Sequence, residues 1–116
     1  MTFEDLVERV ESWASDRGIL DYSSPQTQLM KTVSEMGELA DATLKHDRDG
    51  VIDGVGDVLV TLAIYARLQG VTLTECLQSA YDVIKSRRGR LTPEGIFVKE
   101  EEDHDPIEQT QGSAGP

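Results

Sequence analysis

The chain has 116 residues, with 22 acids against 11 bases and a formal net charge of −11. That is one domain of ordinary size, and its charge opposes non-specific contact with nucleic acid or anionic membrane. Hydrophobic residues make up 38% and aromatic ones only 5%, which suits an aliphatic helical core better than a β-sandwich. Cys76 is the only cysteine, so no internal disulfide forms. With no signal-peptide pattern and no apolar run long enough to span a bilayer, the expected location is the cytoplasm.

Thr2 is a candidate cap for a first helix over residues 3–16, with Glu4 and Asp5 in the turn where the dipole favours anions. Phe3, Leu6, Val7, Val10, Trp13 and Ala14 recur at helical spacing, and Gly18 marks the stop. Trp13 can be imagined as a base-stacking platform, but a large apolar residue on such a stripe more often packs its helix onto a neighbour. Residues 19–24 read as a connector.

Ser24-Pro25 opens a second helix, expected over 25–45, with a capping residue followed by proline at the first helical position. Leu29, Val33, Met36, Ala40 and Leu44 form its expected core stripe. Glu35 and Glu38 lie off that stripe and share one face; Asp41, one step further, is a weaker candidate. Most such acidic pairs are solvated faces. Gly37 between them costs about 1 kcal/mol in a helix interior relative to Ala, which points to close helix approach or ligand access. His46 and His104 have no partner at metal-ligand spacing and read as surface residues.

Residues 46–50 read as a tight polar connection into a third helix, expected over 50–69. From Val51 to Leu68 this helix is apolar on nearly every face, the pattern of a buried helix. Asp57 sits inside that run, with Asp53 four residues before it. A buried ionised carboxylate is very costly unless it is paired or coordinates a metal. A short connection makes the two acidic helices antiparallel neighbours, bringing Glu35 and Glu38 opposite Asp53 and Asp57. Four carboxylates on facing helices would be a hard, oxygen-rich site suited to Mg²⁺ or Mn²⁺.

Thr72-x-x-Glu75 is a capping box for a fourth helix, expected over 73–88 with Leu73, Cys76, Leu77, Ala80 and Ile84 as its inner stripe. Cys76 reads as a small buried apolar residue. Lys85, Arg87, Arg88 and Arg90 follow; they are either cations favoured by the helix dipole or phosphate contacts. Residues 95–99 read as an extended segment lying over the body or pairing with a partner chain. Residues 100–116 carry six acids, no Lys or Arg, and a Gly/Ser/Gln/Pro-rich end, the composition of a flexible tail. The expected organisation is therefore a helical domain over 1–99 and a tail over 100–116. Its fold is expected to be all-α, an antiparallel four-helix bundle completed by oligomerisation, because the third helix is apolar on more faces than three neighbours cover.

Glu35-Met-Gly-Glu38-Leu followed by Asp53-Gly-Val-Gly-Asp57-Val-Leu-Val resembles the MazG-like branch of the all-α nucleoside triphosphate pyrophosphohydrolases. Their signature is ExxE on one helix and ExxD on the next. The resemblance continues through Ala80–Arg90 and Gly95–Glu100, covers most of residues 25–100, and is similar to short MazG-like proteins of bacteriophages and bacteria. It implies hydrolysis of nucleoside triphosphates between the α- and β-phosphates, giving a nucleoside monophosphate and pyrophosphate. It also implies Mg²⁺, with Mn²⁺ as the other option, held by Glu35, Glu38, Asp53 and Asp57, with Glu35 or Glu38 instead orienting or deprotonating water. Phosphate contacts from Lys85 and Arg87 and a homodimer or homotetramer are implied as well. One departure stands out: the family's acid at position 54 is Gly54 here, and Asp53 is its expected substitute. Two rival readings are a related enzyme, such as a dUTPase or phosphoribosyl-ATP pyrophosphatase, and a non-catalytic helical nucleotide- or metal-binding module. Retention of Glu35, Glu38 and Asp57 together disfavours the second.

Overall fold

The computed structural model describes residues 1–100. Five helices and one hairpin follow in order: α1 (Phe3–Asp16), α2 (Ile19–Tyr22), α3 (Pro25–Leu44), α4 (Arg48–Leu68), α5 (Leu73–Ile84), β1 (Gly89–Leu91) and β2 (Phe97–Lys99). The chain divides into two compact units, residues 1–80 and the remainder from Tyr81. Apart from Glu100, the expected acidic tail lies outside the described residues. Among the described residues no helix is long and apolar enough to cross a membrane.

The helix starts follow their capping chemistry. Thr2 and Asp5 form a reciprocal capping box at α1, the Ser24 hydroxyl accepts from the Thr27 N–H ahead of α3, and Thr72 and Glu75 form a second box at α5. Asp47 caps α4 by accepting from the Gly50 N–H at 3.0 Å, so this helix begins two residues earlier than the glycine suggested. At the end of α3, His46 adopts a left-handed φ of 55°. That turn lets the Asp47 N–H reach the Ala42 carbonyl at 2.9 Å and closes the helix within three residues of the next one.

The body of the first unit is the antiparallel pair α3 and α4, with α1 laid against α4 and α2 bridging α1 and α4. Their seam is not the apolar stripe expected of α3. It is polar and small: Gln28, Thr32 and Ala42 are the buried residues of α3, and Gly54, Thr61, Ala63, Ile64 and Ala66 those of α4. Thr32 and Thr61 bridge the two helices with hydroxyl oxygens 2.8 Å apart, each also within reach of a carbonyl of its own helix. The expected core stripe of α3 faces outward instead: Leu29, Val33, Met36 and Leu44 are exposed, Leu44 by 80%. Likewise α4 is not buried on all sides, since Ile52 and Val55 are exposed. The physical reason is the short α3–α4 turn. It fixes which faces meet, and close approach at the small residues then leaves the large aliphatic ones outside.

The hydrophobic core of one chain is correspondingly thin: Val7, Ala14, Ala42, Ala63, Ile64 and Ala66, with no large side chain fully buried among the described residues. Trp13 is half exposed and lies 5.6 Å from the Arg17 guanidinium. Glu11 on α1 has a carboxylate oxygen shut from solvent without a hydrogen-bond partner. Burial raises its pKa above the ordinary carboxylate value, against the opposing pull of Arg67. No residue of α5 is buried; Cys76, expected inside, is exposed.

In the second unit, α5 has ended at Ile84, four residues short of expectation, so Lys85, Arg87 and Arg88 stand beyond it. The expected extended segment pairs within its own chain. Phe97–Lys99 runs antiparallel to Gly89–Leu91 with Arg90 opposite Val98. Pro93 and Gly95 shape the connecting turn, Gly95 at φ 86°.

Candidate functional site

A cleft of about 590 Å³ runs along the α3–α4 pair near their connecting turn. Ser34, Gly37, Glu38, Asp41, Ala42 and Lys45 line it from α3 and its C-terminal cap. Their spacing of three and one residues is a single helix face. From the other side come Asp47 and, on α4, Gly50, Asp53, Gly54 and Asp57, again one face. Ala42 and Gly54 are buried and Gly50 partly so, forming the floor, while the lining acids are exposed.

Gly54, where the chain departs from the acidic pattern, lies at a close approach of the two helices. A Cβ at this position would lie 3.1 Å from the Leu39 Cβ and Cδ1 and 3.2 Å from the Leu39 Cα. Position 54 is buried at the foot of the cleft, where any side chain requires Leu39 to give by a few tenths of an ångström, whereas Asp53 is exposed on the cleft lining. Gly37 is the opposite case. Nothing in the chain lies within 4 Å of a Cβ built there, so its missing side chain serves no close helix approach within this chain and leaves the cleft open beside Glu38.

The expected site residues divide. Glu38, Asp53 and Asp57 share the cleft, are exposed and have no ion pair or hydrogen bond from their side chains among the described residues. Asp57 is thus not the buried carboxylate its apolar neighbours suggested. Glu35 is set apart from the cleft lining; its side chain is 13% exposed and lies 3.5 Å from the Lys31 ammonium. Among the described residues no three carboxylate, imidazole or thiol groups converge closely enough to hold an ion as they stand. Lys85 and Arg87 belong to the second unit. The Lys85 ammonium lies 3.4 Å from Asp82 and its backbone N–H caps α5 on the Tyr81 carbonyl; the Arg87 N–H donates to the Ile84 carbonyl.

Asp41 counts for more here than as an outlying acid, and Asp47 and Lys45 also line the cleft. The signal for them was in the spacing: Asp41 and Lys45 continue the face of Glu38 by three and then four residues. Lys45 pairs with Asp41 at 2.9 Å. That hydrogen bond and the Asp41 charge, with a smaller push from Asp47, hold the Lys45 ammonium above the usual lysine range. Chemically, the cleft is a strip of hard oxygen donors with one ammonium at its end.

An uncharacterised 18.2 kDa protein from the rep-hol intergenic region of Haemophilus phage HP1 (strain HP1c1) is 36% identical over 64 residues, which is 55% of this chain and 39% of that protein. The match thus spans well under half of that relative's length. Among solved structures, the cyanophage S-2L MazG-like pyrophosphohydrolase bound to dGDP and three catalytic Mn²⁺ ions per active site has the same fold. It matches at a TM-score of 0.66 and 22% identity, over 89% of this chain and 97% of that one. Residues 23–91, more than half of the chain and all of the cleft, match the MazG nucleotide pyrophosphohydrolase domain, and the chain belongs to that family.

Proposed function

We propose that the protein hydrolyses nucleoside triphosphates, ribo- or deoxyribo-, between the α- and β-phosphates, releasing a nucleoside monophosphate and pyrophosphate. The observation that carries this reading is the cleft itself: Glu38 on one helix and Asp53 and Asp57 on its antiparallel neighbour, in a chain of the MazG family. The donor set is carboxylate oxygen throughout, which fits Mg²⁺ or Mn²⁺ and not a softer ion. Glu38, Asp53 and Asp57 would hold such ions, with Glu35 joining them by leaving Lys31. Bound divalent cations supply charge neutralisation and Lewis acidity at the phosphates. The solved cyanophage relative, which holds dGDP and Mn²⁺ on the same fold, supports this class of ligand.

The remaining work falls to the chain. Glu38 or Glu35 orients the attacking water and accepts its proton. Asp53 takes the place of the acid absent at position 54. Lys85 and Arg87 contact substrate phosphates, whose charge exceeds what the cations neutralise. The exposed aliphatic stripe of α3, with Ile52 and Val55 of α4, favours a homodimer or homotetramer, because so much apolar surface on one chain is otherwise left in water. Sedimentation at micromolar concentration should give at least a dimer; a clean monomer would remove that part of the reading.

The test is incubation with each common NTP and dNTP, and with dUTP and phosphoribosyl-ATP, in Mg²⁺ or Mn²⁺, with products identified. Monophosphate and pyrophosphate support the reading. Cleavage of dUTP or phosphoribosyl-ATP alone would place the protein with its narrower superfamily relatives. Nucleotide binding without products would make it a binding module.

A further inference from the structure

Five acids and one base line the cleft, and the base stands at one end of it. Lys45 caps α3 while Glu38, two turns earlier, stands about 10 Å away along the helix axis. We propose that Lys45 binds a phosphate group of the nucleotide, exchanging the Asp41 carboxylate for it when substrate enters. The inference rests on the nucleotide reading above and adds a ligand outside the family's acidic motif.

Three features carry it. First, the ammonium lies on the cleft wall and is largely exposed, so a ligand reaches it without rearrangement of the backbone. Second, its partner is weak. An exposed i,i+4 ion pair contributes little in water, and Asp41, with the more weakly acting Asp47, competes poorly with a metal-bound polyphosphate of several charges. Third, the charge order along the cleft has a direction. Glu38, Asp53 and Asp57, which would take cations, have no cation of the described chain beside them in the cleft, whereas at the α3–α4 turn Asp41 and Asp47 stand with the ammonium of Lys45, the one base of the lining. A substrate with its reacting phosphate at the first end places another phosphate toward the second. The competing account is that Lys45 only complements the α3 dipole and pairs with Asp41 on the surface. That account predicts a stability effect and no binding effect.

The experiment compares wild type with Lys45→Met, Lys45→Arg and Arg48→Met, the last making the same charge change outside the cleft lining. Nucleotide affinity is measured by calorimetry with a non-hydrolysable α,β-imido nucleotide in Mg²⁺, KM and kcat by pyrophosphate release, and folding by melts without nucleotide. Loss of a charge-assisted hydrogen bond to phosphate should weaken Kd and raise KM about tenfold or more in Lys45→Met. Lys45→Arg should restore most of the loss, and Arg48→Met should stay near wild type. Asp41→Asn, which frees the ammonium, should tighten the imido nucleotide. Wild-type Kd and KM in Lys45→Met, with only a lowered melting temperature, would overturn the proposal while leaving the nucleotide reading intact. A wild-type protein that neither binds nor cleaves any nucleotide overturns both.

Discussion

Gly54 and Gly37 lie in helix interiors on opposite sides of one seam, and the structure assigns them opposite responses to the same methyl group. In an exposed helix interior, Gly→Ala stabilises by about 1 kcal/mol through propensity alone. Nothing lies within 4 Å of a Cβ at Gly37, so Gly37→Ala should realise that gain and raise Tm by about 4–8 °C for a domain of this size. At Gly54 the new Cβ meets Leu39 at 3.1–3.2 Å, and one of the atoms met is backbone. A side-chain rotation does not relieve that contact; the helices must part by a few tenths of an ångström. Overpacking of this kind costs about 1–3 kcal/mol, so Gly54→Ala should come out neutral to about 2 kcal/mol less stable. Gly54→Glu, which restores the acid of the family signature, should lose more and gain no turnover, since parting the seam also parts Glu38 from Asp57. Thermal melts and pyrophosphate release on the three variants test this. A stabilised Gly54→Ala together with a faster Gly54→Glu would refute it and make position 54 an open ligand position.

Other outcomes follow from the same geometry. Asp53→Asn should raise the Mg²⁺ needed for half-maximal turnover nearly as far as Glu38→Gln does, without loss of fold; unchanged metal dependence would confine the site to Glu35, Glu38 and Asp57. Lys85→Ala and Arg87→Ala should raise KM more than they lower helix content by circular dichroism, and wild-type kinetics in both would return them to a structural role. Glu11 binds its proton more tightly when folded than its ordinary value of 4.5 implies, so its contribution is most favourable below that pH and is lost as pH rises through the raised value. Glu11→Gln should therefore match wild type in acid and become the more stable variant toward neutral pH; a pH-independent difference between their melts would count against burial as the cause.

Helix starts were the most legible part of the chain, because each rests on a local hydrogen bond between a capping side chain and a nearby N–H: Thr2, Ser24 and Thr72 all cap as their sequence implies. The antiparallel α3–α4 pair followed from a short connection, the shared face of Asp53 and Asp57 from their spacing, and the placing of Glu38 across from them from the antiparallel pairing. What could not be read was which face of each helix meets the other. Apolar periodicity put Leu29, Val33 and Met36 inside, whereas the seam is built from Gln28, Thr32, Gly54 and Thr61. Periodicity reports what a helix needs to bury, not against which chain it buries it. Asp57 was misplaced for the same reason. The close approach of the helices at Gly54 was not legible in the family pattern, which carries no information on local helix separation. The early end of α5 and the hairpin after it escaped because Lys85–Arg88 continues helix-compatible residues. Only Gly89, Pro93 and Gly95 mark the change.

The central claim is that the cleft between Glu38 and Asp57 hydrolyses a nucleoside triphosphate between its α- and β-phosphates. Phosphorus NMR of a dNTP or NTP turned over in Mg²⁺, in water enriched with ¹⁸O, tests it most directly. The account predicts monophosphate and pyrophosphate in equal amounts, with one solvent oxygen entering one of the two and identifying the phosphorus attacked, and loss of both products in Glu38→Gln and Asp57→Asn while their melts stay near wild type. Orthophosphate and a nucleoside diphosphate as the products, or turnover that survives both substitutions, would contradict it.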